Sequence, residues 1–388
     1  MIRIAFVINF NVVNWLGGYN VIKNLILSIN LNKPKNFQIF VFINETESKK
    51  YFRDLNVNII RTSFFSDISF IRRVYSKLQI LFFGKSKFFE DFFLKYKINL
   101  VSHYMPLGRN SEIKCFSWIT DFQHLYYPQY FTFLQRIFRT VNIFYTVISA
   151  SKIILSSNAS ASDLKKIINL NLKKIFIHPF FFGNYNLKNI ININKLKKKF
   201  NIKKNFFFLP NQYWLHKNHL LVLKSIVDLK KRYNLSINVV SSGSIYAKNS
   251  KIYYQKVYDF IEEHGLRDNY KYIGIVNEKE LWSLIYYSLA IINPSEFEGW
   301  NTSVMQAKAL SKCNIVSNIK AHIEQKNSKT ILFINNDVIS LSDAILKFLK
   351  NKKKYNYKKN KRINNIDFIN YGKKYINLVR AVIKQTNL

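Results

Sequence analysis

The chain carries the stretch Asn293-Pro294-Ser295-Glu296-Phe297-Glu298-Gly299-Trp300-Asn301-Thr302-Ser303 between an apolar run (289–292) and a helical pattern (304–310). The apolar run predicts a strand, so the stretch would start at a strand's carboxyl end and finish at a helix N-terminus. A helix N-terminus offers unpaired backbone N–H groups, which bind phosphate. Asn301, Thr302 and Ser303 would also be explained as simple helix caps. The stretch also contains Glu296 and Glu298, which are rare acids in this basic chain. It therefore predicts a pocket for a phosphate-bearing ligand.

Short apolar runs alternate with helical patterns over most of the chain, which is typical of parallel α/β architecture. Strands are predicted at 2–8, 37–43, 99–103, 114–119, 152–156, 175–178, 206–209, 237–241, 270–273, 289–292 and 314–316. Helices are predicted at 19–29, 87–95, 131–147, 159–168, 219–232, 251–264, 278–288, 302–311 and 368–383. The fold class that follows is α/β with doubly wound, Rossmann-like sheets.

A length of 388 residues favours two domains over one. The Asn/Lys-rich segment 184–202 lacks apolar periodicity and is predicted to be a linker. An N-terminal domain (1–183) and a C-terminal domain (203–350) would then face each other across a cleft that holds a ligand. Residues 351–388 form a basic run and a final helix, which could pack back on the N-terminal domain.

The formal charge of +38, from 60 Lys and Arg against 22 Asp and Glu, is the extreme feature of the composition. It indicates a polyanionic partner such as nucleic acid, an anionic membrane or a phosphorylated substrate. It is equally explained by basic residues scattered over the surface, because no single basic face can be read from the sequence. No nucleic-acid motif is present, so no nucleic-acid partner is expected.

Cys115 and Cys313 are isolated, without the spacing of a disulfide framework or a zinc site, which fits a reducing cytoplasm. The apolar N-terminus is too short for a signal peptide core and reads better as a strand. Arg136 and Arg139 interrupt the apolar segment 131–149, which makes a membrane span improbable. That segment is predicted to be a helix that is buried or lies on a membrane surface. A cytoplasmic protein, with peripheral contact to the inner face of an anionic membrane, is the expectation.

Two further strand ends carry polar clusters that bear on the ligand. Gly17 and Gly18 follow the first predicted strand, where paired glycines let backbone approach a phosphate, although such pairs often have a structural cause. Segment 209–219 concentrates amides, aromatic rings, two histidines and Lys217. A lysine at that place suits a diphosphate, or is an ordinary exposed lysine.

A third cluster, segment 118–124, offers Asp121 and His124 for sugar hydroxyls or for proton transfer. The sequence contains no Asp-x-Asp, so no metal held by that arrangement is expected. Several polar clusters at strand ends are stronger evidence for a ligand site than any single cluster.

Together these segments resemble glycosyltransferases of the two-Rossmann-domain (GT-B) type, in particular the group 1 or family 4 retaining enzymes. The resemblance follows the family's order over most of the chain, and 293–325 is its most specific part. Its pieces are Gly17-Gly18, 121–124 with Pro128, 211–214, 216–219, Gly274, Pro294-Ser295, 298–300, 307–310 and 322–325.

The resemblance implies a nucleotide-sugar donor, such as a UDP- or GDP-sugar, bound mainly by the C-terminal domain, and an acceptor bound mainly by the N-terminal one. Glu298 would contact the donor sugar and Lys217 the diphosphate, without a cofactor or a metal. The implied catalytic residues are Glu298, His124 and Asp121. The implied donor-binding residues are Gly17, Gly18, Asn211, Gln212, Lys217, Gly274, Ile275, Gly299, Trp300, Asn301, Thr302 and Gln306.

Three positions depart from the family pattern. Gln306 stands where many members have a glutamate that grips the ribose hydroxyls, and an amide binds them without charge assistance. Gln212 stands where an arginine is common, which leaves one cation fewer at the diphosphate. Thr120 precedes Asp121 where many members have a histidine, and His124 could substitute for it.

The favoured hypothesis is a retaining transferase that moves a hexose-type sugar to a polysaccharide or lipid-linked glycan, in surface polysaccharide or lipopolysaccharide biosynthesis. Two alternatives stay open. One is a protein that binds anionic surfaces or nucleic acid on the same scaffold, supported by charge alone. The other is a sugar-nucleotide epimerase or hydrolase with the same two-domain architecture.

Overall fold

The computed structural model describes most of the chain: residues 1–10, 12, 15–32, 34–45, 52, 55–65, 70–169, 172–183, 185–202, 205–246, 248–355 and 366–384. The chain divides into two compact units. Unit 1 comprises Met1–Gly183 and Asn365–Leu388, and unit 2 comprises Asn184–Asn364. The predicted boundary positions 184, 203 and 388, and residues 356–362 of the basic run, lie outside the described residues.

Unit 1 contains a parallel sheet of seven strands in the order β3-β2-β1-β4-β5-β6-β7. The strands are β1 (Ile2–Ile8), β2 (Phe37–Ile43), β3 (Asn58–Arg61), β4 (Leu100–Ser102), β5 (Lys114–Trp118), β6 (Lys152–Leu155) and β7 (Ile175–Ile177). Helices cover both faces of such a sheet, which is why its inner strands are continuous apolar runs. The fully buried rings of Phe6, Phe42 and Phe116 illustrate this, and each contributes roughly 1.5–3 kcal/mol by burial.

Six α-helices of unit 1 alternate with these strands. They are α1 (Leu16–Leu31), α2 (Phe70–Phe83), α3 (Lys87–Lys95), α4 (Gln123–Tyr126), α5 (Phe133–Ser149) and α6 (Asn158–Ile167). Short 3₁₀ helices lie at Pro128–Tyr130 and Leu172–Lys174. Helix α5 begins with a capping box, in which the Thr132 hydroxyl accepts from the Gln135 N–H and the Gln135 side chain accepts from the Thr132 N–H.

Unit 2 contains a second parallel sheet, with the order β10-β9-β8-β11-β12-β13. Its elements are α7 (Ile193–Phe200), β8 (Phe207–Pro210), α8 (His219–Tyr233), β9 (Val239–Ser242), α9 (Lys248–Glu263), β10 (Tyr270–Tyr272), α10 (Glu278–Tyr287), β11 (Ile291–Asn293), α11 (Thr302–Ala309), β12 (Asn314–Ser317), α12 (Lys320–Gln325), β13 (Thr330–Phe333), α13 (Val338–Lys350) and α14 (Lys352–Tyr355), with 3₁₀ helices at Leu187–Asn189 and Leu215–Lys217.

In both units the strand order runs outward in one direction from the first strand and then in the other, as in a Rossmann fold. The predicted fold class, two doubly wound α/β sheets, is therefore confirmed. Each predicted strand is present, with ends shifted by at most two residues. The order reverses between β1 and β4 in unit 1 and between β8 and β11 in unit 2, and ligands of such sheets bind at the carboxyl ends of these strands.

The segment predicted as a linker, 184–202, contains helix α7 and belongs to unit 2. Asn192 caps this helix by accepting from the Asn194 N–H, and Leu196 is buried. Lys199 forms an ion pair with Glu280 of α10. One buried leucine among lysines is too little periodicity to reveal the helix in the sequence, and tertiary contacts supply the rest.

The last helix, α15 (Ile366–Lys384), belongs to unit 1 and packs on α1. Gly372 makes this approach close, since a Cβ there would lie 2.5 Å from the carbonyl atoms of Ser28. The Gly372 N–H donates to the Ser28 hydroxyl at 2.7 Å. Buried Tyr375 reaches the sheet, where its hydroxyl donates to the Ser102 hydroxyl at 2.5 Å.

Candidate donor site at the switch point of unit 2

The predicted donor residues cluster where the strand order of unit 2 reverses. The loop after β8 carries Lys217 in its 3₁₀ turn, and the loop after β11 carries Glu298. The Glu296 N–H donates to the carbonyl of His216 at 2.8 Å, which joins the two loops directly. Two segments that are 81 residues apart in sequence thus form one site at the carboxyl ends of neighbouring strands.

An ion pair stands at the centre of this site. Lys217 Nζ donates to Glu298 Oε1 at 2.5 Å, and the two side chains are 17% and 10% exposed. Asn301 Nδ2 donates to the same carboxylate oxygen at 2.8 Å. The carboxylate is therefore oriented by one cation and one amide.

Glu298 is held in its charged form. Burial alone would raise the pKa of its carboxyl, but the positive charge of Lys217 and the hydrogen bond that Lys217 donates lower the pKa overall. A carboxylate with a lowered pKa is ionised at neutral pH. It can accept hydrogen bonds from a ligand hydroxyl but cannot donate a proton.

Two buried histidines flank Glu298, and both are neutral. Burial, assisted by the charge of Lys217, lowers the pKa of His216 to about 3 and that of His322 to about 4. His322 Nδ1 lies 3.0 Å from the carbonyl of Ser317, which requires a proton on Nδ1. Its Nε2 therefore carries the lone pair, and it has no hydrogen-bond partner among the described residues.

The N-terminus of α11 is built by Asn301. Its Oδ1 accepts from the Val304 N–H at 3.1 Å and from the Ser303 hydroxyl at 2.9 Å. Its backbone N–H donates to Gln325 Oε1 at 3.3 Å, and Gln325 Nε2 returns a bond to its carbonyl at 2.9 Å. The resemblance implied Asn301 as a donor-binding residue, but its backbone N–H has an acceptor within the protein and is therefore not open to a diphosphate.

The N–H groups of Thr302 and Ser303 lie in the first turn of α11, where the helix itself supplies no acceptors. These two N–H groups lie where a phosphate group is predicted to bind. Gly299 is buried and Trp300 is half-buried immediately before this turn. Gln306 lies in the second turn and is 3% exposed, so it is not a surface amide.

The remaining predicted donor residues surround the loop after β8. Asn211 is buried; its Oδ1 accepts from Asn293 Nδ2 at 3.3 Å, whereas its own Nδ2 has no partner among the described residues. Gln212 is exposed. Gly274 has a φ of 75°, a left-handed conformation that favours glycine, and its carbonyl accepts from the Gly243 N–H at 3.0 Å. Ile275, next to it, is 52% exposed.

The sequence suggested no individual role for Asn218 or Gln325, and Glu296 stood out only as a rare acid. Asn218 caps α8 in a left-handed conformation and donates from Nδ2 to Glu296 Oε1 at 3.1 Å. Gln325 secures the backbone of Asn301, as described above. In the sequence, Asn218 is visible only as an Asn before a helical pattern, and Gln325 only as an amide within the segment 322–325. Neither pattern shows which residue the side chain contacts.

In unit 1, Asp121 and His124 are brought together by a residue that sequence reasoning did not select, Arg139 of α5. Its guanidinium pairs with Asp121 at 2.8 Å and donates from Nε to His124 Nδ1 at 3.4 Å. His124 Nε2 lies 3.3 Å from the Thr140 hydroxyl. Burial and the charge of Arg139 lower the pKa of His124, against the smaller opposing effect of Asp121. His124 is thus a neutral, fully engaged side chain.

Asp121 and Arg139 also line a cavity of about 370 Å³ at the carboxyl ends of β4 and β5. Lys77 of α2, Trp118 and Asn142 of α5 line it as well. The cavity combines two cations, a carboxylate and an indole, which suits a polar ligand with hydroxyl or anionic groups.

Gly17 and Gly18, which were predicted to let backbone approach a phosphate, lie in the first turn of α1. Gly18 is buried beneath the indole of Trp15, and a Cβ there would lie 2.5 Å from that ring. The indole in turn stacks on Trp118 at 5.9 Å between centroids. Close packing of Trp15 therefore explains Gly18 without a ligand.

Comparisons with known proteins agree with this arrangement. Residues 192–365 match the family described as glycosyl transferases group 1. The matched segment is just under half of the chain and resembles a group 1 glycosyltransferase domain. Lys217 and Glu298 both lie within it. The capsular polysaccharide biosynthesis glycosyltransferase CapH of Staphylococcus aureus is 32% identical over 162 residues, which cover 42% of this chain and 43% of that protein.

The O-antigen chain mannosyltransferase RfbU of Salmonella typhimurium is 26% identical over 259 residues, covering 63% of this chain and 65% of that one. The matches thus span less than two thirds of either relative. The crystal structure of Anabaena HepE in complex with UDP and glucose is similar in fold over 98% of this chain and 100% of that one, with a TM-score of 0.69 at 10% identity. Together with the two Rossmann-like units, this similarity shows that the chain has a GT-B fold.

Proposed function

We propose that the protein is a retaining glycosyltransferase that moves a hexose-type sugar from a nucleotide-diphosphate donor to a polysaccharide or lipid-linked glycan. The observation that carries this proposal is the Lys217–Glu298 ion pair at the switch point of unit 2. There a cation suited to a diphosphate stands beside an ionised carboxylate suited to sugar hydroxyls.

In the proposed reaction the bond between the anomeric carbon and the donor diphosphate breaks, and negative charge builds on the departing phosphate. Lys217 and the first-turn N–H groups of α11 would stabilise that charge more in the transition state than in the ground state. Losing one such group costs roughly 3 kcal/mol of barrier, about a hundredfold in rate. This is the chemistry that the geometry of the site supports best.

Glu298 would orient the donor sugar. Its carboxylate is fixed by Lys217 and Asn301, so it presents acceptor oxygens in a set direction. Retention would follow from attack of the acceptor hydroxyl on the face that the diphosphate leaves, with the leaving phosphate taking the hydroxyl proton. No covalent bond to Glu298 is then formed, and neutral His216 and His322 are not required as acids.

The acceptor would bind to unit 1, at the cavity lined by Asp121 and Arg139. The names of the relatives CapH and RfbU, which refer to capsular polysaccharide and O-antigen, support a surface glycan as the class of acceptor. We further propose that the protein works in the cytoplasm, at the inner face of the membrane. Within the described residues no helix is both long and apolar enough to cross a bilayer.

A thermal-shift panel of UDP, GDP and their sugars tests the donor proposal. A ligand at about one hundred times its Kd stabilises a protein by roughly 2.7 kcal/mol, which is a clear shift. We expect one nucleotide family to shift the unfolding midpoint, with UDP-glucose tested first, and we expect EDTA to leave that shift unchanged. No shift with any of these ligands would overturn the proposal.

Product analysis with donor alone then separates the alternatives that share the fold, since fold does not determine activity. A transferase needs an acceptor for rapid turnover, whereas an epimerase converts the donor sugar and a hydrolase releases it. Rapid conversion of the donor alone would replace the proposed transfer by one of these reactions.

A further inference from the structure

Two neighbouring helices of unit 1 expose an unusual amount of apolar surface. On α5, the side chains of Leu134, Phe138 and Val141 are 76%, 64% and 57% exposed, at the spacing of a single helix face. On α2, Ile71 and Phe82 are each 77% exposed. Scattered single apolar residues are ordinary on a protein surface, but a continuous group of this size is not.

The side chain of Lys77 connects the two helices. Lys77 of α2 donates to Asn142 Oδ1 of α5 at 3.2 Å, and its ammonium group lies 5.2 Å from the ring centroid of Phe138. The exposed apolar residues of α2 and α5 therefore belong to one surface, which we name the α2–α5 face.

The α2–α5 face is predominantly basic, and of its cations Arg139 is paired with Asp121. Segments 70–89 and 122–162, which contain both helices, include no Asp or Glu. Their basic residues include Arg72, Lys77, Arg136 and Arg139. The Arg136 guanidinium lies 5.6 Å from the ring centroid of Phe133, so cationic groups stand directly beside exposed rings. Apolar and aromatic residues flanked by cations match the interface of an anionic bilayer.

A second copy of the chain fits this face less well. A symmetric contact would bring the basic residues of both copies together, and the two helices themselves carry no Asp or Glu. Lipid phosphates supply the missing negative charge, and the headgroup boundary accepts the exposed rings.

We infer that the α2–α5 face docks unit 1 on an anionic phospholipid bilayer, so that the acceptor is one carried on a membrane lipid. The lipid-borne acceptor rests on the proposed function, whereas the docking on a bilayer does not. The cavity lined by Lys77 and Arg139 adjoins this face, since both residues belong to it. A glycan on a lipid phosphate could then reach the cavity while its lipid stays in the bilayer.

Vesicle flotation of the full chain tests the docking. Vesicles of phosphatidylcholine alone are compared with vesicles that contain about one third phosphatidylglycerol. We expect binding to the anionic vesicles at least about tenfold tighter than to the neutral ones, and weaker at high salt. The triple variant L134S/F138S/V141S should lose about tenfold or more of that binding.

The matched control is I252S/I334S/I339S, which removes three residues of unit 2 that are 54%, 58% and 56% exposed. We expect this control to bind vesicles as the unaltered protein does. Equal losses in both triple variants, or no binding to anionic vesicles at low salt, would overturn the docking. A dimer that L134S/F138S/V141S abolishes, without vesicle binding, would assign the face to a second copy.

The inference of a lipid-borne acceptor is tested with membranes and radiolabelled donor sugar. We expect label in material that organic solvent extracts from the membranes, and much less with L134S/F138S/V141S than with I252S/I334S/I339S. Label only in water-soluble glycan would overturn a lipid-borne acceptor. Nucleotide thermal shifts of the same variants separate the two proposals, because a lost donor site would abolish the shift without changing vesicle binding.

Discussion

Lys217 Nζ lies 2.5 Å from Glu298 Oε1, on loops that follow two different strands of one sheet. Both side chains are mostly buried, so neither charge is well solvated without the other. Removing one member of such a pair leaves the other as an uncompensated buried charge, which is costly. A substitution at either residue can therefore lower both stability and activity, so each variant is tested for both.

Replacing Lys217 by alanine should lower the transfer rate about a hundredfold, because the departing diphosphate loses its nearest cation. The measurement is kcat at saturating donor, with Lys224→Ala, an exposed lysine of α8, as the matched control. A Lys217→Ala enzyme within about twofold of the unaltered rate would remove Lys217 from the proposed site.

Glu298→Gln keeps the shape of the side chain but removes its charge. We expect transfer to fall by a similar factor while nucleotide binding without a sugar is nearly retained, since Glu298 is proposed to contact the sugar. Glu263→Gln, on the exposed end of α9, is the control. If UDP and UDP-sugar lose affinity equally, Glu298 acts on the nucleotide and its proposed role is wrong.

Gln306 stands where related enzymes often have a glutamate, and it is buried in the second turn of α11. Gln306→Glu should tighten nucleotide binding by about 1 kcal/mol, roughly fivefold in Kd, because a carboxylate accepts ribose hydroxyls with charge assistance. Gln306→Ala should weaken it. Calorimetry with the best nucleotide of the panel measures both. Unchanged affinity in both variants would place Gln306 away from the nucleotide.

The sequence predicted the sheets well for a physical reason. Parallel strands buried on both faces are continuous apolar runs, and 2–8, 37–43 and 114–119 stand out against their polar surroundings. Helix α2 was not predicted. Among its described side chains only Ser76 and Ile80 are buried, so its apolar residues do not form the core-facing stripe by which the other helices were predicted.

The site was predictable only in part. Lys217 and Glu298 could be selected because each follows a predicted strand in a chain that resembles a known family. The pairing of Arg139 with Asp121 and of Gln325 with Asn301 depends on tertiary contact across 18 and 24 residues. His124 was selected for its ordinary pKa, whereas burial and the charge of Arg139, which are not visible in sequence, lower it.

Acid should destabilise this protein well above the usual pKa of carboxylates. Five histidines are buried with a pKa lowered from 6.5 to about 3 or 4, chiefly by desolvation: His103, His178, His216, His219 and His322. The unfolded chain binds these protons more readily, so stability is complete above about pH 6.5 and falls as the pH drops toward the folded pKa. A shift from 6.5 to 4 costs roughly 2 kcal/mol per histidine at pH 5.

Glu298 contributes in the same direction but at lower pH. Its pKa is lowered, so the stability it provides is present above the ordinary carboxyl pKa and is lost below it. The unfolding midpoint, measured by circular dichroism from pH 7.5 to pH 4.5, should therefore fall continuously below about pH 6.5. A constant midpoint between pH 6.5 and pH 5 would show that the buried histidines do not control stability.

Gly372 provides a test in which helix propensity and packing predict opposite signs. Alanine in place of glycine within a helix ordinarily stabilises by about 1 kcal/mol. Here the new Cβ would lie 2.5 Å from the carbonyl carbon and oxygen of Ser28, so α15 must move away from α1. Overpacking of this kind costs about 1–3 kcal/mol, and the shift would also strain the hydrogen bond from the Gly372 N–H to the Ser28 hydroxyl.

We expect Gly372→Ala to lower the free energy of unfolding by about 1–2 kcal/mol, measured by urea denaturation. Lys373→Ala, exposed on the same helix, should change it by no more than about 0.5 kcal/mol. A Gly372→Ala protein more stable than the unaltered chain would mean that α15 does not approach α1 this closely.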